Sequence, residues 1–227
     1  MMIYRKASST SFAVSAARGA EIWSNGPMTD TVARLKVTLD EVEPVVVRRV
    51  DVPFDIRLDR LHLTIQAAVG WTNSHLYEIR ARDVSWSTPY PEADWSNDFL
   101  DARKARLAEV LADVGAKTLH YVYDFGDGWE HTIKIERLAD AEPGVLYPRL
   151  IDAKGRCPPE DVGGPWGYAE FLEALGDPQH ERHDEFREWV GEEFDPYVLA
   201  TDILSAEVAA LAKRWARKPA TKKNRPA

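Results

Sequence analysis

The side chains most able to do chemistry are concentrated in one run, YVYDFGDGWEH at residues 121–131. Within it, Asp127-Gly128 separates two stretches rich in aromatic and β-branched residues, which predicts a β-hairpin closed by a two-residue type I′ turn. In that register Asp124 lies opposite His131. Their Cβ atoms are then about 5 Å apart, where a carboxylate can hold an imidazole and raise its basicity. Three roles are open for this pair: a metal half-site, an acid–base couple or a structural clasp.

Two further histidines are placed by the elements that precede this hairpin. Apolar residues recur with helical spacing through 58–69 and Gly70 follows, which predicts an amphipathic helix with Asp55 as its cap. His62 lies beside the apolar stripe, a position more typical of a semi-buried histidine with satisfied hydrogen bonds than of a ligand. His75 opens the next segment, HLYEIR, which has the pattern of a β-strand.

The remaining patterns predict an α+β fold. Alternating or β-branched stretches mark strands, and apolar repeats of helical period mark helices. The predicted strands are 32–39, 45–52, 118–125 and 129–138, and the predicted helices are about 105–114, 167–175, 180–190 and 202–216. Because strands come first and helices last, we expect an antiparallel or mixed sheet with a central β-hairpin and helices packed on one face.

Length and composition limit the number of domains and the class of protein. With 227 residues and 44% hydrophobic content, the chain can bury one core, which favours a single domain at 31–212. Residues 1–30 lack the apolar stretch of a secretory signal, so we interpret them as a disordered leader or a start codon placed too far upstream. No apolar run is long enough to span a membrane. The single cysteine, Cys157, excludes an internal disulfide and favours a reducing, cytoplasmic location.

Charge is distributed unevenly along the chain. The segment 31–212 contains 19 lysines and arginines against 35 acids, a net charge of −16, whereas 213–227 contains seven bases and no acid. An acidic surface repels phosphate backbones, so a contact with DNA is expected only from the basic tail, 213–227, or from a local patch. The alternative interpretation of this tail is a disordered, solvated terminus without a partner.

Four motifs occur together in this chain. They are Leu61-His62; Gly70-Trp71 with His75-Leu76; Tyr121 to Asp127 with Trp129 and His131; and Cys157-Pro158-Pro159-Glu160-Asp161-Val162-Gly163-Gly164 with Gly167-Tyr168. In these motifs the chain resembles the plasmid pRiA4b ORF-3-like family, whose members are also known as passenger proteins of mobile elements. The resemblance spans roughly 31–200 and implies a compact α+β domain without an established reaction. One departure is Val47 before Arg48-Arg49, where the family tends to have tryptophan.

The titratable residues of these motifs suggest a metal site. They are His62, His75, Asp124, Asp127, His131, Glu160 and Asp161. Histidines combined with carboxylates are ordinary ligands for zinc or manganese, and the predicted ligands are His62, His75, Asp124 and His131. A metal-dependent hydrolase would use Asp124 or Glu160 as a base toward a metal-bound water. Asp127 and Asp161 have an alternative role as turn formers, since both lie close to glycines.

The opposing hypothesis is a binding protein without catalysis. In it, Trp71, Trp129 and Trp166 frame a polar-aromatic cleft for a protein or nucleic-acid partner. The candidate binding residues are His62, Trp71, His75, Asp124, Asp127, Trp129, His131, Glu160, Asp161 and Tyr168. Gly163-Gly164 is not followed by Lys-Ser or Lys-Thr, which disfavours nucleotide hydrolysis. We therefore expect an accessory binding protein, with a metal-dependent hydrolase as the alternative.

Overall fold

The structure, a computed structural model, describes residues 31–89, 99–191 and 194–216. The predicted leader, 1–30, and the tail from residue 217 onward lie outside these residues. Lys213 and Arg214, which the sequence analysis placed in the tail, belong instead to the last turn of a helix that ends at Trp215. No helix in the described part of the chain is long and apolar enough to cross a membrane.

The described elements combine one sheet with several helices. The strands are β1 (Thr31–Leu39), β2 (Val46–Pro53), β3 (Tyr77–Ala81), β4 (Val84–Ser87), β5 (Leu100–Asp101), β6 (Thr118–Tyr123), β7 (Trp129–Asp140) and β8 (Arg149–Lys154). The helices are α1 (Leu58–Val69), α2 (Leu107–Val114), α3 (Gly164–Gly176), α4 (His183–Val190) and α5 (Thr201–Trp215). The strand order in the sheet is β5-β4-β3-β6-β7-β1-β2-β8. Neighbours run antiparallel except β4 and β5, which are parallel. This architecture confirms the predicted α+β class with a mixed sheet.

The two faces of the sheet differ, as the alternation in β1 predicts. Leu35 and Val37 are buried in the core, whereas Arg34 and Lys36 point to the other face. There Arg34 forms a bidentate ion pair with Asp51 of β2, with both N–O distances at 2.8 Å. A face that carries ion pairs at its surface is open to solvent, so the helices cover the opposite face.

Helix α1 packs on the buried face of the sheet because its apolar residues lie on one side of the helix. Leu58, Leu61 and Ile65 are all buried, and the helix ends at Gly70, whose φ of 88° suits glycine. Helix α5 packs against it. The predicted cap at Asp55 is wrong: α1 begins after Arg57 without a side-chain cap.

The predicted register of the β6–β7 hairpin is also wrong. Tyr121 lies opposite His131 and Tyr123 lies opposite Trp129, so residues 124–128 form a five-residue connection, which we call the hairpin loop. The chain leaves the strand at Asp124, which adopts a left-handed φ of 57°. The Asp124 carboxylate accepts the Gly126 N–H at 3.0 Å, so this side chain stabilises the loop and does not face His131.

Candidate functional site

Three segments that are distant in the sequence converge at one end of β3 and β6. They are the hairpin loop, the entry segment 71–76 that leads into β3, and the Pro-Pro loop, 157–164, that leads into α3. Asp127 of the hairpin loop accepts the N–H of Gly163 at 3.1 Å, and Glu160 accepts the N–H of Thr72 at 2.8 Å. These two carboxylates fix the Pro-Pro loop against its neighbours.

Glu160 is the centre of a hydrogen-bond network. One of its oxygens accepts from both the N–H and the hydroxyl of Thr72, at 2.8 and 2.5 Å, and the other accepts from the Tyr123 hydroxyl at 2.6 Å. Partial burial opposes ionisation of Glu160, but these hydrogen bonds outweigh it and lower the pKa of the carboxyl group. Because both oxygens are engaged, the structure does not favour Glu160 as the general base of a hydrolase.

Tyr123 extends this network to His75. Its hydroxyl oxygen accepts the backbone N–H groups of Ser74 and His75, at 2.9 and 3.2 Å. Burial and the neighbouring Glu160 carboxylate raise the pKa of Tyr123, so the phenol is neutral and can donate to Glu160 while accepting from the backbone. The backbone at His75 is thereby held in place from the sheet.

His75 lies between two carboxylates. Its Nδ1 is 3.7 Å from an oxygen of Asp124, and its Nε2 is 3.1 Å from an oxygen of Asp161. Nε2 is inaccessible to solvent and has no partner with hydrogen-bond geometry, so the short contact with Asp161 is not aligned as a hydrogen bond. One ligand atom from each of the three residues lies within 4.8 Å of the others.

The backbone turns both carboxylates toward His75. Asp124 and Asp161 have φ values of 57° and 62°, in the left-handed region that aspartate tolerates better than most side chains. Gly164, with a φ of 70°, lets the Pro-Pro loop approach the hairpin loop, since a Cβ there would lie 2.2 Å from the carbonyl oxygen of Asp127. Close backbone packing therefore requires glycine at position 164, and at Gly163 the φ of 95° favours glycine.

His62 is not a member of this group. It is buried, its Nδ1 lies 2.9 Å from the hydroxyl of Tyr121, and its Nε2 lies 2.5 Å from Oδ1 of Asn73. Gln66 donates to the Tyr121 oxygen at 2.8 Å, so that hydroxyl donates to His62 and the imidazole proton is on Nε2. Burial lowers the pKa of His62 to about 4. Both of its nitrogens are satisfied within the core.

His131 is also separated from the group, because it points into the core from β7. It is 1% exposed, and its Nδ1 donates to the backbone carbonyl oxygen of Trp129 at 3.1 Å. Burial lowers its pKa to about 4. Among the described residues, the group close enough to share a cation is His75, Asp124 and Asp161. The predicted ligand set of His62, His75, Asp124 and His131 is not brought together.

The tryptophans do not form the predicted frame. Trp129 is fully buried, and Trp71 packs against it with ring centroids 5.8 Å apart while donating to the carbonyl oxygen of Pro158 at 2.9 Å. Trp166 is 88% exposed on α3. Tyr168, another predicted binding residue, is buried in the core at 1% exposure. Trp71, Trp129 and Tyr168 therefore stabilise the fold beneath the three segments.

An open cleft is lined in part by His75. This His75 cleft has a volume of about 720 Å³, and its wall includes His75, Tyr77, Arg103, Asp124 and Phe125. The sequence analysis missed three of these residues. Phe125 carried a signal, since an apolar side chain within a hairpin loop has no core to face; Tyr77 and Arg103 carried none.

The model of the family described as plasmid pRiA4b ORF-3-like protein matches residues 31–202. The chain belongs to this family. The resemblance found from the four motifs is thus confirmed. A relative, "Uncharacterized protein y4hQ" of Sinorhizobium fredii, is 56% identical over 192 residues, which cover 84% of this chain and 97% of the relative.

A solved structure has a similar fold. It is the "Crystal Structure of Protein of Unknown Function MM3350 from Methanosarcina mazei Go1", with a TM-score of 0.69 and 30% sequence identity. The match covers 76% of this chain and 97% of that chain. The plasmid pRiA4b ORF-3-like fold of this chain is therefore shared with an experimentally determined structure, and neither relative's name assigns an activity.

Proposed function

We propose that this member of the plasmid pRiA4b ORF-3-like family is an accessory binding protein that takes a segment of a protein partner in the His75 cleft. The observation that carries the proposal is the cleft itself, whose volume of about 720 Å³ falls in the range of small-ligand and peptide sites. The name of the family associates its members with a plasmid, which supports an accessory role.

The wall of the cleft has the chemistry of an interface. Phe125 is 41% exposed at the rim and offers an apolar anchor point. Tyr77 also lines the cleft but is buried, with its ring stacked on His62 and its hydroxyl 2.8 Å from that of Thr88, so it shapes the wall without exposing an aromatic face. Aromatic residues surrounded by polar groups are enriched at protein interfaces.

Charge favours a protein over a nucleic acid as the partner. The segment 31–212 has a net charge of −16, and binding to a phosphate backbone requires cations at the surface. Arg103 in the cleft is held by Asp101 through two N–O contacts of 2.9 Å, so its charge is compensated within the protein. The bases of 217–227 lie outside the described residues and are tested separately below.

A site-specific crosslinking experiment tests the proposal. A photoreactive amino acid replaces Phe125 in the full chain, and a control replaces Leu146, which is 48% exposed in the connection between β7 and β8 and does not line the cleft. We expect Phe125 to capture a protein in cells that Leu146 does not capture. The captured protein is then identified, purified and titrated against wild type, Phe125→Ala and Leu146→Ala. Phe125→Ala should weaken binding at least tenfold, as expected for an anchor at an interface.

The same experiment can contradict the proposal. Equal capture at both positions, equal affinity of both alanine variants, or nucleic acid crosslinked at position 125 would each exclude a protein-binding cleft. Deleting 217–227 and measuring DNA retention against salt tests the tail, because a shallower salt dependence after deletion would assign it phosphate contacts.

A further inference from the structure

We infer that His75, Asp124 and Asp161 form a binding site for one divalent metal ion of the zinc or manganese type, at the edge of the His75 cleft. The inference goes beyond the proposed partner binding and is carried by different observations, namely the geometry of this group and of the loops that support it. It also differs from the ligand set predicted from the sequence, which included two histidines that the fold buries in the core.

The donor atoms fit such an ion in type and in distance. One imidazole nitrogen and two carboxylate oxygens are ligands that zinc and manganese both accept. Two ligands bound at about 2.1 Å lie at most about 4.2 Å apart. The three donor atoms already lie within 4.8 Å of one another. The Asp161 side chain is 71% exposed, so a small rotation closes the remaining gap and leaves positions for water.

The contact between His75 and Asp161 is short but is not a hydrogen bond. Nε2 of His75 is buried without a hydrogen-bond partner, yet an oxygen of Asp161 is 3.1 Å away and out of line for an N–H donor. A nitrogen and an oxygen this close, with no hydrogen bond between them, can both act as ligands of one ion. An oxygen of Asp124 lies 3.7 Å from Nδ1 of the same ring, so both carboxylates lie close to the imidazole.

The three ligands are held by residues that are not themselves ligands. Glu160 connects the Pro-Pro loop to Thr72 and Tyr123, and Asp127 connects it to the hairpin loop through Gly163. Glu160 and Asp127 are thus positioning residues, since their carboxylates are already engaged. A site whose ligands are held by such surrounding hydrogen bonds resists collapse when the ion is absent.

Metal titration of matched variants tests the inference. The full chain, freed of metal by a chelator, is titrated with Zn²⁺ and separately with Mn²⁺ by calorimetry, and Co²⁺ is used to record visible absorption bands. We expect one ion per chain for wild type. Asp161→Asn and His75→Gln should each weaken binding at least tenfold, because each removes one ligand. Asp113→Asn and His120→Gln alter exposed residues outside the group and should bind as wild type does.

Thermal unfolding separates loss of the site from loss of the fold. Asparagine tolerates the left-handed backbone at position 161, so Asp161→Asn should unfold at the wild-type temperature when metal is absent. Zn²⁺ or Mn²⁺ should raise the unfolding temperature of wild type and not of this variant. Absence of stoichiometric binding, or wild-type affinity in both Asp161→Asn and His75→Gln, would overturn the inference. Crosslinking at Phe125 does not depend on either result, so the two proposals fail separately.

Discussion

His75 and Asp161 come from the second and the fourth of the sequence motifs, yet an imidazole nitrogen of one lies 3.1 Å from a carboxylate oxygen of the other. The contact exists because Glu160, the neighbour of Asp161, is bound to the backbone of Thr72 at 2.8 Å. The Pro-Pro loop before α3 therefore holds the entry segment, 71–76, in position. Its sequence thereby affects the geometry of the His75 cleft.

The first prediction concerns the glycine that lets these loops approach. Gly164→Ala places a Cβ 2.2 Å from the carbonyl oxygen of Asp127, at a φ of 70° that alanine already disfavours. Gly128→Ala is the matched control, since Gly128 has a φ of 69° and open space around its Cβ position. We expect the control to lower the free energy of unfolding by about 1–2 kcal/mol, the cost of the backbone conformation alone.

Gly164→Ala should lower the free energy of unfolding several times more than Gly128→Ala does, or it should prevent the Pro-Pro loop from docking on Asp127. Urea denaturation measures the free energy of unfolding of both variants, and the metal titration described above measures the effect on the site. Equal destabilisation by the two substitutions would show that the close approach at Gly164 does not hold the loop.

The second prediction concerns Glu160. Replacing its carboxylate in Glu160→Gln weakens the hydrogen bonds from Thr72 and Tyr123, with an expected loss of about 1–3 kcal/mol in the free energy of unfolding at pH 7. The pKa of Glu160 is lowered from its usual value of 4.5, so its contribution to stability is present above that pH and is lost as pH falls through the folded-state pKa.

The difference in the free energy of unfolding between wild type and Glu160→Gln should therefore become smaller at acid pH. Urea denaturation at pH 7 and at pH values below about 4 measures it, with metal removed by a chelator. Glu173→Gln, a change of the same type at an exposed position of α3, should leave the free energy of unfolding within about 0.5 kcal/mol of wild type. A difference that is constant with pH would mean that the ionised Glu160 carboxylate does not stabilise the fold.

Much of the fold could be predicted from the sequence because the patterns are local. Alternation in β1 and the apolar stripe of α1 follow directly from the 2.0- and 3.6-residue periods of strands and helices. The family motifs likewise identified His75, Asp124 and Asp161 as candidates. What these patterns cannot show is which of several candidate side chains meet in space.

The hairpin illustrates why the site could not be predicted in full. Asp127-Gly128 has the composition of a two-residue turn. However, the chain leaves the strand early, at Asp124, whose carboxylate accepts a hydrogen bond from the Gly126 N–H within the loop. This changes the length of the connection to five residues and turns His131 toward Tyr121 and the core. A competition between a side-chain hydrogen bond and the strand ladder decides the register, and composition does not reveal its outcome.

The third prediction separates core tryptophans from surface tryptophans. Trp129→Ala removes a fully buried indole packed on Trp71 and should lower the free energy of unfolding by about 3–5 kcal/mol. Trp166→Ala removes an indole that is 88% exposed and should change it by less than about 0.5 kcal/mol. Urea denaturation followed by circular dichroism measures both. A large effect at Trp166 would indicate a contact that its exposure does not reveal.

The last prediction concerns pH and the two buried histidines. Burial lowers the pKa of both His62 and His131 from 6.5 to about 4. Between pH 4 and pH 6.5 the unfolded chain binds more protons than the folded chain. The contribution of the two neutral histidines to stability is therefore fully present above pH 6.5 and is lost as the pH falls toward 4. Each histidine accounts for a loss on the order of 3 kcal/mol over this interval.

Urea denaturation at intervals between pH 7 and pH 4 measures this dependence, with metal removed by a chelator. His131→Asn should flatten the slope, whatever its effect on stability at pH 7, because it removes one of the two buried groups. His120→Gln, at an exposed position of β6, should leave the slope unchanged. The same slope in His131→Asn and wild type would show that burial does not hold His131 neutral. In that case its Nε2, which has no hydrogen-bond partner, would be reached by water or by a proton.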